Sequence, residues 1–185
     1  MSPSPEIHSN FIEFMLERNR PRMDGFKGWV FHPGMLFQAL ETWWGDQGHR
    51  AVPHEGLDLY SFAAAGGQVQ TVDDQTQIPA AFAGQVVKID RDFLGKSIYI
   101  SHAIFTAGGR QLFSAVGHTI PRDGLKPGQE VAAGEIIASV AGFPGKKDLA
   151  EKILERAEID LDLRPENLTI QDFQKILAAS RAIQK

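Results

Sequence analysis

The chain has 185 residues, 43% hydrophobic and 23% charged, with a formal net charge of −4. That suffices for one globular unit with a proper core, and the scattered basic residues leave no electrostatic footprint for nucleic acid. There is no cysteine, which excludes disulfides, thiol catalysis and cysteine zinc sites, so any metal must be held by His, Asp, Glu or water.

The first residues, Met-Ser-Pro-Ser-Pro-Glu-Ile-His, lack a cationic stretch followed by an apolar core. They predict a cytoplasmic address; a chain trimmed of its leader would be periplasmic or extracellular. No apolar run is long enough to span a membrane. Residues 1–9 read as an arm. Asn10 or Ser9 can cap a helix carrying Phe11, Ile12, Phe14, Met15 and Leu16, ended by Pro21, and Asn10 with Glu13 fits a capping box. Residues 22–34 are glycine- and proline-rich loop. Leu36, Phe37, Leu40, Trp43 and Trp44 recur at three- and four-residue spacing, which predicts a helix over 35–44 stopped by Gly45. The tandem tryptophans suit stacking on a ligand, or packing beside the next loop.

Arg50-Ala51-Val52-Pro53-His54-Glu55-Gly56-Leu57-Asp58-Leu59-Tyr60 comes next. Pro53 and Gly56 argue against a helix, and the alternation from Asp58 argues for a strand. His54 then sits on a loop and Asp58 at a strand mouth, with a turn at Gly56 bringing them together. Imidazole nitrogen and carboxylate oxygen are zinc donors; a His–Asp hydrogen bond inside a loop is the simpler alternative. From 57 to about 140 the segments are short, β-branched and glycine-punctuated. They predict strands over 57–63, 84–90, 97–103, 111–118 and 135–140, with turns at Gly66-Gly67 and Gly108-Gly109. Lys126-Pro127-Gly128-Gln129-Glu130-Val131-Ala132-Ala133-Gly134-Glu135-Ile136-Ile137 has a cadence that suits a compact all-β core.

Beyond Gly142, Asp148 and Glu151 suggest a capped helix through 154 or 155. Residues 156–163 alternate polar at even and apolar at odd positions, which predicts a strand; a helix running on to Ile159 competes. Thr169 with Asp172 caps a last helix carrying Ile170, Phe173, Ile176, Leu177 and Ile183. The fold class is therefore α+β, mainly β, with an antiparallel sandwich between N- and C-terminal helices. Its parts are an arm with helices (1–49), the β core (50–163) and a C-terminal helix (164–185).

These segments carry a resemblance. Pro53-His54-Glu55-Gly56-Leu57-Asp58-Leu59 resembles the His-x-Gly-x-Asp-type motif of the lysostaphin-like zinc metallopeptidases. Ala81 to Val87, Ile98 to His102, Leu112 to Thr119 and Val131 to Ile137 resemble that family's later strands in the right order. The resemblance implies a duplicated hybrid motif β-sandwich, a zinc cofactor and hydrolysis of peptide bonds in peptidoglycan cross-bridges or stems. His54 and Asp58 match its first two zinc ligands, and His118 its middle-strand catalytic histidine.

The family's closing His-x-His is missing, because His118 is the last histidine. On strand 156–163, Arg156 would stand for the catalytic histidine and Glu158 for the third ligand. A His-Asp-Glu set can hold zinc, but two carboxylates cancel the ion's charge and acidify its water less. Alternatively Arg156 pairs with Asp58 or Glu158 as an internal cation, keeping the fold and abolishing the chemistry. Two functions follow: a zinc peptidase with an altered, degenerate site, or a non-catalytic module that binds a peptide or protein partner in the cleft. Biotinyl and lipoyl carriers share the 126–137 cadence, but their exposed hairpin lysine has no counterpart in 97–125. His102 reads as structural, and His8, His32 and His49 show no partner spacing.

Overall fold

A computed structural model of the chain describes residues 7–43, 48–92, 94–142, 154, 156–159 and 169–183. The chain divides into two compact units, Met1–Ala141 and Gly142–Lys185. Among the described residues of the first, α1 (Phe11–Arg18) precedes nine strands: β1 (Gly28–Val30), β2 (Ser61–Ala63), β3 (Val69–Thr71), β4 (Gln77–Pro79), β5 (Gly84–Arg91), β6 (Lys96–Phe105), β7 (Gln111–Pro121), β8 (Glu130–Val131) and β9 (Ile136–Val140). They form two antiparallel sheets, β1-β2-β3 and β4-β9-β7-β6-β5-β8. The mainly β architecture with flanking helices expected from the alternation is therefore present.

The larger sheet is strongly curled, and its register slips along β4, β5 and the β6–β7 pair. Each slip sets an extra residue against one partner, which bends and twists the ladder. Ile78, Val86, Ile98, Ile100, Val131 and Ile137 form its buried core. Gly84 lets β5 cross β6 closely; a Cβ there would lie 2.2 Å from the Ser101 carbonyl oxygen. The β6–β7 hairpin turns at Gly108-Gly109, with the Gly109 N–H donating to Thr106 O at 2.9 Å. Met15, Met23, Phe62 and Ala64 form a second cluster with Phe26 and Trp29 around them.

Four local expectations are corrected in this unit, the first being that residues 22–34, expected as loop, include the strand β1. Helix α1 forms, but Asn10 makes no side-chain cap; the Ser9 hydroxyl accepts the Phe11 N–H instead, at 3.1 Å. Residues 35–43 are not a helix. After a 3₁₀ turn at Pro33–Met35 the chain bends at Leu36 and turns through Phe37 and Gln38, the latter at φ 67°, before a single bridge pairs Glu41 with His49. The strand predicted from Leu57 begins only at Ser61.

In the second unit, the strand predicted over 156–163 fails at its start. Leu154 and Arg156 are helical, and Ala157 and Glu158 form a turn. Ala157 and Ile159 are buried while Arg156 and Glu158 are exposed, so the alternation holds for burial although the backbone is a helix end. Ile159 N–H donates to Leu154 O at 2.9 Å, and Glu158 takes φ 56°. This is the left-handed residue and six-to-one bond of a Schellman C-cap. Residues 160–163, Asp148 and Glu151 lie outside the described residues. The last helix, α2 (Ile170–Ile183), has the expected cap. Thr169 N–H donates to the Asp172 carboxylate at 2.9 Å, and Asp172 N–H donates back to the Thr169 hydroxyl at 3.2 Å.

Candidate functional site: two histidine–aspartate pairs

The sequence placed His54 and Asp58 on one turn, and the structure brings them together: His54 Nε2 lies 3.3 Å from Asp58 Oδ1. Their scaffold is a loose antiparallel clasp between residues 36–42 and 48–54. Gln38 N–H donates to His54 O, His54 N–H to Ala39 O and Arg50 N–H to Leu40 O, at 2.7, 2.9 and 2.7 Å. Asp58 N–H donates to Met35 O at 3.0 Å. Gly34 is required here, because a Cβ would meet the Glu41–Trp43 backbone at 2.9 Å. The clasp explains why 35–43 is not helical: its backbone groups bond across to the motif loop.

Three further groups fix the pair. His54 Nδ1–H donates to Leu36 O at 3.1 Å. The Trp43 indole N–H donates to Asp58 Oδ2 at 2.6 Å, and the Trp43 ring lies 5.1 Å from the Tyr60 ring. Trp43 therefore packs and bonds beside the loop; Trp44 lies outside the described residues. Arg50 Nη2 stands 4.0 Å from the same Asp58 oxygen. Its Nη1 donates to the carbonyls of Gly34 and Glu41, both at 2.8 Å, and reaches that of Ala39 at 3.4 Å. An arginine does neighbour Asp58, as the internal-cation alternative requires, but it is Arg50. Glu158 and Arg156 belong to the second unit, and the shared strand face assumed for them is absent.

The donor set bears on zinc. Two ligands about 2.0–2.1 Å from a tetrahedral ion lie about 3.3 Å apart, which is the His54–Asp58 spacing. A carbonyl holding Nδ1–H is also the usual support for an Nε2 ligand. Yet a catalytic zinc needs three protein ligands, and among the described residues no three His, Asp or Glu side chains are grouped to hold an ion. Asp58 Oδ2 is moreover already engaged by Trp43 and faced by Arg50. The described residues thus do not make a complete zinc site.

His118 has its own carboxylate, Asp92, which sequence reasoning missed. The bulge opposite Ser97 leaves His118 at φ 58°, a conformation uncommon outside glycine. Its freed N–H donates to Asp92 Oδ2 at 2.8 Å. Asp92 also accepts from the Ser97 hydroxyl at 2.9 Å and from the N–H groups of Leu94 and Gly95 at 2.9 and 2.7 Å. The His118 Nδ1 lies 3.2 Å from Asp92 Oδ1. Burial pushes the Asp92 carboxyl up, but the His118 N–H, the Ser97 hydroxyl, the Leu94 N–H and the His118 ring together hold it well below the usual carboxylate range. The only sequence signal was the Asp-x-x-Gly spacing of an Asx-type turn.

His102 is structural, as its sequence suggested. Its Nδ1–H donates to Ala83 O, and its Nε2 accepts from the Ser114 hydroxyl, both at 2.9 Å. It is buried under Phe82, whose ring lies 5.4 Å away. Among the described residues no helix is long and apolar enough to cross a membrane. No protein-family model, curated protein or solved structure matches the chain.

Proposed function

We propose that the chain is a metallopeptidase-like domain that works as a non-catalytic binding module, holding a peptide or protein partner over the clasp around His54 and Asp58. One observation carries the reading: the protein itself engages both oxygens of Asp58, through His54, Trp43 and Arg50. A carboxylate so neutralised has its charge met without a metal. The surrounding surface supports the binding half. Leu36, Phe37, Leu40, Val52 and Leu57 are exposed on the two segments that form the clasp and its motif loop. Exposed apolar residues concentrated in one place mark interaction sites more often than scattered ones do.

The test is to mix the full chain with glycyl cross-bridge and stem peptides in the presence of zinc. Backbone-amide NMR shifts would follow binding, and mass spectrometry would follow cleavage. The reading expects shifts clustered at 36–40 and 52–58 with the peptides intact. Turnover above the protein-free rate overturns it.

The second reading is an active zinc-dependent peptidase resembling the lysostaphin-like enzymes, with His54 and Asp58 as two of its ligands and His118 as the catalytic histidine. The 3.3 Å spacing favours it. Peptide cleavage abolished by His54→Ala would establish this reading.

A further inference from the structure

We infer that Arg50 is the resident cation of the clasp: its guanidinium fills a pocket that, once emptied, takes a divalent metal ion. The inference rests on the non-catalytic reading and names what keeps the site metal-free.

Burying a charge is costly unless it is paired and hydrogen-bonded. Arg50 and Asp58 are only 12% and 23% exposed, so their charges must be met largely by protein groups. A guanidinium keeps its charge across the working pH range and offers five donors in a rigid fork. Arg50 spends that fork unusually. Nη1 gathers two carbonyls at 2.8 Å and a third at 3.4 Å, while Nη2 faces the carboxylate. Converging carbonyl and carboxylate oxygens are also how proteins hold hard divalent cations. His54 adds a nitrogen donor 3.3 Å from the other carboxylate oxygen. Asp58 thus links a ring nitrogen at one oxygen to the carbonyl cluster beyond the other, and the protein's own cation stands between that cluster and the carboxylate.

Geometry also says why a surface arginine cannot substitute. The three carbonyls belong to Gly34, Ala39 and Glu41, which the clasp brings to one point. Arg50 lies on the opposing segment, where its own N–H bonds Leu40 O at 2.7 Å. Residue and pocket are thus built by the same pairing.

The test titrates zinc, and cobalt as a coloured surrogate, into the full-length wild type, Arg50→Ala, Arg50→Ala with His54→Ala, and Arg50→Lys. Arg50→Ala should bind zinc at least tenfold more tightly than the wild type, and adding His54→Ala should remove that gain. Arg50→Lys keeps a cation and should stay as weak as the wild type; should Arg50→Ala not fold, Arg50→Gln, which keeps amide donors for the carbonyls but no charge, should show the gain in its place. The inference is overturned if folded Arg50→Ala gains no affinity, if the gain survives His54→Ala, or if Arg50→Lys binds tenfold more tightly. Stoichiometric zinc in the wild type would instead defeat the non-catalytic reading itself. A zinc-free wild type whose Arg50→Ala variant gains nothing would defeat only this inference.

Discussion

The side chain of Asn19 pairs with the backbone of Gln77 as a neighbouring strand would. Its carboxamide oxygen accepts the Gln77 N–H at 2.7 Å, and its NH2 donates to Gln77 O at 2.9 Å and to Met15 O at 2.8 Å. Gln77 lies on β4, an outer strand of the large sheet, so a buried amide at the end of α1 closes that edge. Edge strands left open invite pairing with other chains.

Asn19→Ala should therefore cost about 2–3 kcal/mol, because it strands buried backbone groups as well as removing bonds. Asn19→Asp should not rescue it, since a carboxylate can accept from Gln77 but cannot donate to either carbonyl. Urea unfolding of both variants checks the cost, and light scattering checks for association through the opened edge.

Trp43 is predicted to anchor the clasp through one bond. Trp43→Phe keeps an aromatic ring beside Tyr60 but removes the indole donor to Asp58. A hydrogen bond to a charged group contributes about 1.5–3 kcal/mol, less where solvent reaches it, so a loss of about 1–2 kcal/mol is expected. The same unfolding experiment measures it, with Tyr60→Leu separating ring contact from bond.

Asp92 gives the fold a dependence on acid. Its folded-state carboxyl is held below the ordinary value of 3.8. A depressed acid contributes stability that is fully present above the unfolded value and is lost as pH falls through the folded one. Asp92→Asn should thus be clearly less stable than the wild type at pH 5–7. The gap should narrow progressively as the pH drops below about 4. A gap that stays constant down to pH 2.5 would contradict the assignment.

Glu158 sits where helices usually place glycine. A left-handed conformation costs a residue with a side chain about 1–2 kcal/mol, so Glu158→Gly should stabilise the second unit by roughly 1 kcal/mol. Hydrogen exchange at Ile159 and Ala179, both buried in that unit's cluster, reads this out. Were Glu158 a zinc ligand instead, the same change would weaken metal binding.

The strands at 84–91, 96–105 and 111–121 were legible because their side chains alternate in environment, which is the property that period-two patterning encodes. The Thr169–Asp172 cap was legible because its bonds are local. The 35–43 segment was misread for a physical reason. Leu36, Phe37, Leu40 and Trp43 have helical spacing, but three of them are exposed, and what fixes the backbone is pairing with 48–54. Spacing reports a buried face only when there is one. At the site, the His54–Asp58 contact followed from Gly56 and short separation. Arg50 did not, because nothing local distinguishes a largely buried arginine from a solvated one, and Asp92 left only the common Asp-x-x-Gly spacing as a trace. The period-two run at 156–159 correctly marked burial, but a helix end that puts alternate residues inside leaves the same trace as a strand.

If the protein's own groups close the clasp, as proposed, it carries no resident metal. Zinc content per chain, measured by elemental analysis of the full-length protein purified without chelator, tests it most directly. The account predicts substoichiometric zinc that does not change on His54→Ala. Stoichiometric zinc in the wild type, lost on His54→Ala, would contradict it.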